Sequence, residues 1–349
     1  MGQAGYRVHV AAALPPTGSS AIIAPHIIRY LLLVADENGV SLDRSLRAAG
    51  LSRETLHSTA LRVSYRQGRA VIEAALDAVQ IPALGIVVGG RQPITASGLL
   101  GLAMMSSPTI AEAVDLGISY QNLAGSMVRW SAHVEHDELV VVATVPDNRS
   151  RVDRFLIEEA FASITRMARD TTVQEFRPTR VEFVRDRPAD AAPFSQYFGG
   201  HISFGAPRNA WHMPIEYSQR PLGTGDPWTL AEAVSILNER TRETIERQEL
   251  VAVLAARVED ALPALLPLRA HAQGLATSER TLRRRLADVD AGYADIVEDV
   301  RRRLAGQLIT RTELPFADIA FRLGYADERS LRRSVHRWFG TSPTELRVS

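Results

Sequence analysis

Apolar residues in the first third of the chain recur at three- and four-residue spacing, which is the period of a helix. This spacing places apolar side chains on one face and predicts amphipathic helices across residues 25–80. The positions that define it are Ile27, Ile28, Leu31, Leu32, Val71, Ile72, Ala75 and Val79. Two more helices are predicted at residues 96–105 and 108–123.

The pattern then changes to alternation. Segments 127–135 and 138–146 flank His136-Asp137 and predict a β-hairpin that turns at these two residues. The elements predicted after it are a long amphipathic helix at 153–170, a strand at 179–184, a short helix at 191–198, and strands at 202–204 and 210–213. Helices followed by mixed strands and helices indicate an α+β domain. A further helix is predicted at 229–262.

Residues 313–325 predict a short helix together with its stop signal. Pro315 suits the first helical turn, and Gly324 suits the left-handed conformation that ends a helix. Asp327 is placed to cap a second helix at 328–339. Two short helices around a tight glycine turn predict a helix-turn-helix unit.

The second helix of this unit has two distinct faces. Leu331, Val335 and Trp338 are spaced to point inward. The outward stripe consists of Arg329, Arg332, Arg333 and His336. A basic outward face on the second helix is typical of a helix that enters the DNA major groove.

A second copy of the pattern lies upstream. Its first helix is predicted at 268–275, its turn at Ala276-Thr277, and its second helix at 279–286 with Ser278 as the cap. Leu282 and Leu286 point inward on this second helix, whereas Arg280, Arg283 and Arg284 point outward. A helix at 295–309, about 22 Å long, joins the copies and can hold their second helices roughly one DNA turn apart, ~34 Å.

The charge distribution agrees with this interpretation. Net charge is zero, but the segment 267–349 has 15 Arg against 11 acidic residues, and the chain contains no lysine. The arginine head suits phosphates and guanine edges. For Arg301, Arg302 and Arg303 two interpretations stay open, namely phosphate contact and plain surface.

Several classes of protein are disfavoured. The absence of cysteine excludes disulfides, thiolate nucleophiles and cysteine zinc sites. No apolar run reaches the ~18 residues of a membrane span and no signal peptide is evident, so we expect a cytoplasmic protein without a membrane partner.

No Gly-x-Ser-x-Gly, phosphate loop or dinucleotide fingerprint is found, so we expect no enzyme and no cofactor. His133 and His136 face opposite sides of a strand end, which disfavours a metal pair. A module used only for protein contact is the other alternative, and the outward arginines argue against it.

On these residues the C-terminal part, about 250–349, resembles the AraC/XylS family of bacterial regulators. The motifs are Ser278-Glu-Arg-Thr-Leu-Arg-Arg-Arg-Leu286, Phe316-Ala-Asp-Ile-Ala-Phe-Arg-Leu-Gly-Tyr325 and Arg337-Trp-Phe-Gly-Thr-Ser-Pro343. The resemblance implies that both second helices occupy successive major-groove segments. The base-facing candidates that it implies are Arg280, Arg283, Arg284, Glu328, Arg329, Ser330, Arg332 and Arg333. The departures from the family pattern are Ala276 in place of glycine, His271 at an apolar site, Gly274 within a helix, and Leu331 and Val335 in place of phenylalanine.

Residues 25–225 resemble the arabinose-binding-type effector domain of such regulators, through segments 98–113 and 198–209. This resemblance implies a small-molecule effector of unknown identity. A sugar-binding β-barrel is not predicted, because helices precede the strands. Six aromatic residues either line a cavity or pack as plain core, and no ligand residue is assigned: Tyr120, Trp130, Phe155, Phe161, Phe183 and Trp211.

The predicted fold is therefore an α+β N-terminal effector domain followed by an all-α C-terminal domain with two helix-turn-helix units joined by a linker helix. The predicted boundaries are a flexible arm at 1–24, an effector-binding and dimerisation domain at 25–226, a connecting helical segment at 227–262 and the DNA-binding domain at 263–349. The expected function is sequence-specific transcription regulation, with activation favoured over repression by the resemblance. The expected partners are double-stranded DNA, RNA polymerase, the effector and a second copy of the chain. No metal is expected.

Overall fold

The computed structural model describes residues 21–58, 61–171, 176–287 and 291–348. The chain divides into two compact units, Met1–Thr241 and Arg242–Ser349. The division falls inside the predicted connecting segment 227–262. Residues 1–20 of the predicted arm lie outside the described residues, whereas Ala21–Ile23 at its end forms a strand, β1, and is not flexible arm.

Helices dominate the first part of the first unit, as the apolar spacing predicts. They are α1 (His26–Glu37), α2 (Asp43–Ala48), α3 (Arg53–Leu56), α4 (Tyr65–Ala78), α5 (Leu84–Gly90), α6 (Leu99–Met105), α7 (Ile110–Ser119) and α8 (Gln121–Ala124). A 3₁₀ turn at Ile94–Ser97 precedes α6, and β1 pairs with β2 (Val63–Ser64). The sequence did not predict α5, because three of its seven residues are glycine and three are β-branched.

A five-stranded sheet follows the helices. Its strands are β3 (Arg129–Glu135), β4 (Glu138–Thr144), β5 (Arg180–Phe183), β6 (His201–Phe204) and β7 (Ala210–Pro214). Their order is β3-β4-β7-β5-β6, and only the β5–β6 pair is parallel. The predicted hairpin is confirmed, with His136 and Asp137 at the turn in left-handed conformations of φ 48° and 62°.

Helix α9 (Arg151–Asp170) lies at the centre of the first core, and most of its residues are buried. It packs closely against α5, where glycine is required. An ideal Cβ on Gly89 would lie 2.2 Å from the carbonyl oxygen of Glu159, and one on Gly85 would lie 2.5 Å from that of Phe155. Two short helices, α10 (Ala192–Phe198) and α11 (Ile215–Ser218), complete this unit.

The long helix α12 (Pro227–Ala261) begins in the first unit and ends in the second. Ala233 and Leu237 are buried against α6 of the first unit. Leu254 and Val258 are buried in clusters of the second unit. These four apolar residues of the connecting segment are therefore core residues of their own units.

The second unit is all-helical over its described residues. It contains α13 (Leu268–Gly274), α14 (Glu279–Ala287), α15 (Tyr293–Arg311), α16 (Phe316–Arg322), α17 (Glu328–Phe339) and α18 (Pro343–Val348). Two details differ from expectation. Pro315 is the cap residue before α16 rather than part of its first turn, and Pro343 begins an additional helix instead of only closing α17. The predicted fold class is confirmed. No described helix has the length and apolarity that crossing a membrane requires.

Candidate nucleic-acid interface and internal cavity

Helices α16 and α17 form a compact helix-turn-helix around one apolar cluster. Its buried members are Ala305, Ile309, Ile319, Ala320, Leu323, Leu331, Val335 and Trp338. Gly324 takes the left-handed conformation at φ 70°, as predicted. An ideal Cβ there would lie 2.6 Å from the carbonyl oxygen of Pro263, so glycine is required both for the turn and for close packing.

The ends of α17 are defined by local signals. Asp327 Oδ1 accepts a hydrogen bond of 2.7 Å from the backbone N–H of Ser330. That bond holds the pKa of the Asp327 carboxyl below its ordinary value. Gly340 ends the helix at φ 71°. The predicted bounds 328–339 are confirmed. They could be predicted because the residues that set both ends lie within the helix or directly beside it.

The arginine run at 301–303 is held by protein groups. Arg301 donates from Nε to the carbonyl of Leu323 (2.8 Å) and from Nη2 to that of Gly324 (2.7 Å). Its guanidinium also lies 4.5 Å from the ring centroid of Tyr325. Arg302 lies 3.5 Å from a carboxylate oxygen of Asp299. Arg303 pairs with Glu259. Arg301 therefore stabilises the end of α16.

The outward face of α17 is exposed at Arg329, Arg332 and Arg333. Arg332 Nη2 lies 2.6 Å from Glu328 Oε1, and its guanidinium lies 4.9 Å from the ring centroid of Phe316. Arg333 donates to Ser330 Oγ at 3.3 Å. Arg329 has no hydrogen bond or ion pair within the described residues. The face is thus a row of arginines, of which one is oriented by an acid on its own helix.

Helix α14 presents the same kind of face. Ser278 Oγ accepts a hydrogen bond of 3.1 Å from the backbone N–H of Thr281 and caps the helix. Leu282 and Leu286 are buried, as predicted, against residues of α12, α13 and α15. Arg283 lies 2.6 Å from Glu279. The other two predicted arginines, Arg280 and Arg284, are exposed, with no ion pair in the part of the chain that the structure describes.

The support beneath α14 is less favourable. Ala276 takes the left-handed conformation at φ 50°, which costs a residue with a Cβ about 1 kcal/mol or more relative to glycine. His271 is only 2% exposed, and its Nε2 has no hydrogen-bond partner within the described residues. Burial first, and nearby Arg257 second, lower the pKa of His271. The first unit therefore carries an intact arginine face on a weaker scaffold.

The first unit contains a partly open cavity of about 140 Å³ between its helices and its sheet. Of the six aromatic residues that the sequence left open, Trp130 and Trp211 line it. Phe161 and Phe183 are fully buried core, and Phe155 lines a separate pocket of about 320 Å³. The remaining one, Tyr120, donates a hydrogen bond of 2.6 Å from its hydroxyl to Asn238 Oδ1.

Two ionisable side chains lie on this cavity. Glu159, on α9, is 4% exposed, and its Oε1 accepts a hydrogen bond of 2.6 Å from Gln92. Burial raises the pKa of Glu159 to about 7, although the bond from Gln92 opposes that shift. Burial first, and Arg29 second, lower the pKa of His26 to about 4. At neutral pH His26 is therefore uncharged, and Glu159 keeps its proton to a higher pH than an exposed carboxyl does.

Sequence reasoning did not identify Glu159. Glu158 and Glu159 stand between Phe155-Leu-Ile and Ala160-Phe-Ala, so the three residues on each side of the pair are apolar. Acids inside a wholly apolar helical stretch cannot both face solvent. That feature is the signal that could have identified this position.

Comparison with known proteins agrees with both units. The family described as the arabinose-binding domain of AraC transcription regulators matches residues 39–222, and a helix-turn-helix domain family matches residues 271–349. The chain belongs to the AraC family of transcription regulators. It is accordingly a DNA-binding transcription regulator with an arabinose-binding-type N-terminal domain.

Relatives of this AraC-family chain align over most of its length. The ornithine utilization regulator of Pseudomonas aeruginosa is 31% identical over 91% of this chain and 94% of its own. The regulator VqsM of the same species is 25% identical over 76% of this chain and 83% of its own. Among solved structures, the regulator CdpR of Pseudomonas aeruginosa is 22% identical, with a TM-score of 0.49, and covers 93% of this chain and 98% of that one.

Proposed function

We propose that this regulator reads a specific DNA sequence with the exposed arginines of α14 and α17 and that a small molecule in the cavity of the first unit controls it. The proposal of DNA reading is supported mainly by the two arginine faces, each of which lies on the capped second helix of a helix-turn-helix. The predicted base-facing set of Arg280, Arg283, Arg284, Glu328, Arg329, Ser330, Arg332 and Arg333 is retained as the proposal.

The side-chain geometry supports base contact rather than phosphate contact alone. The Glu–Arg pairs at four-residue spacing orient Arg283 and Arg332 along their helices. An oriented guanidinium can donate two hydrogen bonds to guanine O6 and N7, which is the commonest specific contact in the major groove.

The test is DNA affinity measured on an operator fragment for the variants Arg283→Ala and Arg332→Ala. Each change is expected to weaken specific binding by about 1–3 kcal/mol. Arg285→Ala, which removes an exposed arginine of α14 outside the proposed set, is the matched control and is expected to change affinity little. Unchanged affinity in both test variants would contradict the proposal.

Effector control is supported by the cavity, because a concave, mostly apolar space with a few polar groups is the usual form of a small-molecule site. Ornithine, from the name of the relative, is a natural first compound to test. Its two amino groups suit Glu159, but none of the described residues that line the cavity is an arginine, and the chain has no lysine to receive its carboxylate. We therefore expect ornithine to bind weakly or not at all.

We further propose that the regulator acts as an activator that contacts RNA polymerase, and that it binds DNA as a homodimer whose first unit supplies self-association. Helix α12, which has core residues in both units, is the proposed link between ligand and DNA. Sedimentation velocity at micromolar concentration, with and without DNA, tests the dimer. A monomer under both conditions would contradict it.

A further inference from the structure

The second helices of the two helix-turn-helix units have nearly the same sequence. Glu279-Arg-Thr-Leu-Arg-Arg-Arg-Leu286 matches Glu328-Arg-Ser-Leu-Arg-Arg-Ser-Val335 at five of eight positions, and the Thr/Ser pair keeps a hydroxyl. The last pair, Leu286 and Val335, is buried in both units. Arg285 and Ser334 form the one equivalent pair that differs in chemical type, a charged arginine against a small neutral serine.

The likeness is confined to these helices. The preceding helices, Leu268-Arg-Ala-His-Ala-Gln-Gly and Phe316-Ala-Asp-Ile-Ala-Phe-Arg, share one of seven residues when aligned from their starts. The turns differ as well, because left-handed Ala276 lies two residues before its cap Ser278, whereas Gly324 lies three before Asp327. A shared scaffold therefore does not account for the matching exposed face.

The matching residues are also held in the same way. Each cap side chain accepts a hydrogen bond from the backbone N–H three residues on, at Thr281 and at Ser330. In both helices the first glutamate lies 2.6 Å from the arginine four residues later. Three exposed arginines consequently occupy equivalent positions on two equivalently capped helices.

We infer that this chain reads the same short, guanine-containing base sequence twice, once with each helix, at two major-groove segments of a single DNA site. The inference rests on the proposed function. Equal side chains on equally built helices offer the same hydrogen-bond donors to base edges. Guanine is the base that arginine contacts most often, so the simplest match is one guanine opposite each helix.

The test is selection of binding sites from random duplex DNA by the full-length protein. The wild type is expected to select two copies of one motif for each protomer that binds, so a homodimer selects two such pairs. Arg283→Ala is expected to relax the guanine preference in one copy by roughly ten- to a hundredfold and to leave the other intact, and Arg332→Ala the reverse. Arg285→Ala is the control and should keep both copies.

Two unrelated motifs, or a single motif, selected by the wild type would overturn the inference while leaving the proposed function standing. No sequence preference at all would instead contradict the proposed function, so the two failures are distinguishable. Equal loss in both copies from either variant would also overturn the inference, because it would mean that the two helices do not read separate segments.

A different observation, in the cavity of the first unit, carries a second inference. Glu159 Oε1 is bonded to Gln92, whereas its Oε2 has no hydrogen-bond partner among the described residues. The described part of the lining is otherwise mostly apolar and contains no arginine, and the chain has no lysine. A carboxyl that is buried without a cation favours a ligand that brings one.

We propose that the cavity takes a compact organic cation, a primary amine on an apolar body about the size of one six-membered ring. This inference rests on the proposed effector site. The volume of about 140 Å³ is comparable to the ~150 Å³ of a cavity known to hold benzene. Glu159 would receive the ammonium, and Trp130 and Trp211 offer aromatic surface to the cation or the ring.

The test is calorimetry on the full-length protein without DNA, using benzylamine, benzyl alcohol and benzoate. Benzylamine is expected to bind at least tenfold more tightly than the alcohol, and benzoate to show no binding. Glu159→Gln is expected to weaken benzylamine binding roughly ten- to a hundredfold and to leave the alcohol unchanged. Glu158→Gln, equally buried but lining the other pocket, is the matched control.

Equal affinity for amine and alcohol, or benzylamine binding that survives Glu159→Gln, would overturn the ligand class. Absence of binding by all three compounds would overturn it too and would remove the support for an effector site of this size. DNA binding is measured separately, so neither result bears on the arginine faces.

Discussion

The arginines of the second unit differ in what engages their guanidinium groups. Arg301 donates to two backbone carbonyls and stacks on Tyr325. Arg329 is exposed, with no ion pair to any described residue. Backbone carbonyls hold the Arg301 guanidinium against the protein. Arg283 and Arg332 are exposed and form ion pairs only with an acid on their own helix, so their guanidinium groups remain available to DNA.

Arg301→Ala is expected to lower the free energy of unfolding of the second unit by about 1–3 kcal/mol, since two carbonyls at the end of α16 lose their donor. Denaturant unfolding of the full-length protein measures it. Arg303→Ala, which breaks an exposed pair with Glu259, is the control and should cost about 0–1 kcal/mol. Equal effects of the two changes would contradict the assigned role.

Glu159 makes stability depend on pH in a defined direction. Its pKa is raised to about 7 in the folded state, so the folded protein holds this proton while the unfolded chain releases it near 4.5. Stability from this group is complete below about pH 4.5 and is lost as pH rises to about 7. Glu159→Gln, which cannot ionise, is therefore expected to be more stable than wild type at pH 8, by up to a few kcal/mol.

The comparison for this prediction is the difference in urea midpoint between wild type and Glu159→Gln at pH 5 and at pH 8. The difference should be larger at pH 8. A difference that does not change with pH would show that Glu159 ionises normally in the folded protein.

At the scale of elements, the contact between α5 and α9 depends on glycine. Gly89→Ala would bring a Cβ to 2.2 Å from the Glu159 carbonyl oxygen and 2.9 Å from Ala162 Cβ, so the helices must separate. We expect a loss of about 1–3 kcal/mol or more in stability, together with weaker ligand binding, because Glu159 lies on the displaced segment.

Gly223→Ala is the matched control for this prediction, because a Cβ at Gly223 meets nothing within 4 Å. The measurement is the thermal unfolding midpoint of each variant, and Gly89→Ala is expected to unfold at the lower temperature. A Gly89→Ala protein as stable as Gly223→Ala would mean that α5 and α9 do not pack as closely as the structure has them.

Elements whose ends are set by nearby residues could be predicted from the sequence, whereas elements set by packing against distant residues could not. The bounds of α17 follow from Asp327 and Gly340, which act on the helix directly, and the hairpin turn follows from His136-Asp137. Helix α5 could not be predicted, because its glycines are explained only by what packs on it: the backbone of α9 at Gly85 and Gly89, and a tyrosine ring of α10 at Gly90. The cavity could not be predicted either, since Gln92, Glu159 and Trp211 lie far apart in the sequence and meet only in the fold.

For the molecule as a whole, effector and DNA binding should be linked. If saturating benzylamine changes DNA affinity by some factor, DNA must change benzylamine affinity by the same factor. We expect a factor of roughly 5–150, the usual range of such coupling, and its disappearance in Glu159→Gln. DNA titrations with and without the amine measure it. Identical titrations would mean that occupancy of the cavity does not control DNA binding.

The central claim is that two arginine faces read two major-groove segments, and protection of guanine N7 from methylation tests it most directly. Each bound protomer of the full-length protein is expected to protect guanines in two patches about 10 base pairs apart. Arg283→Ala should expose one patch and Arg332→Ala the other. Protection that is unchanged in both variants, or absent from the major groove, would contradict the claim.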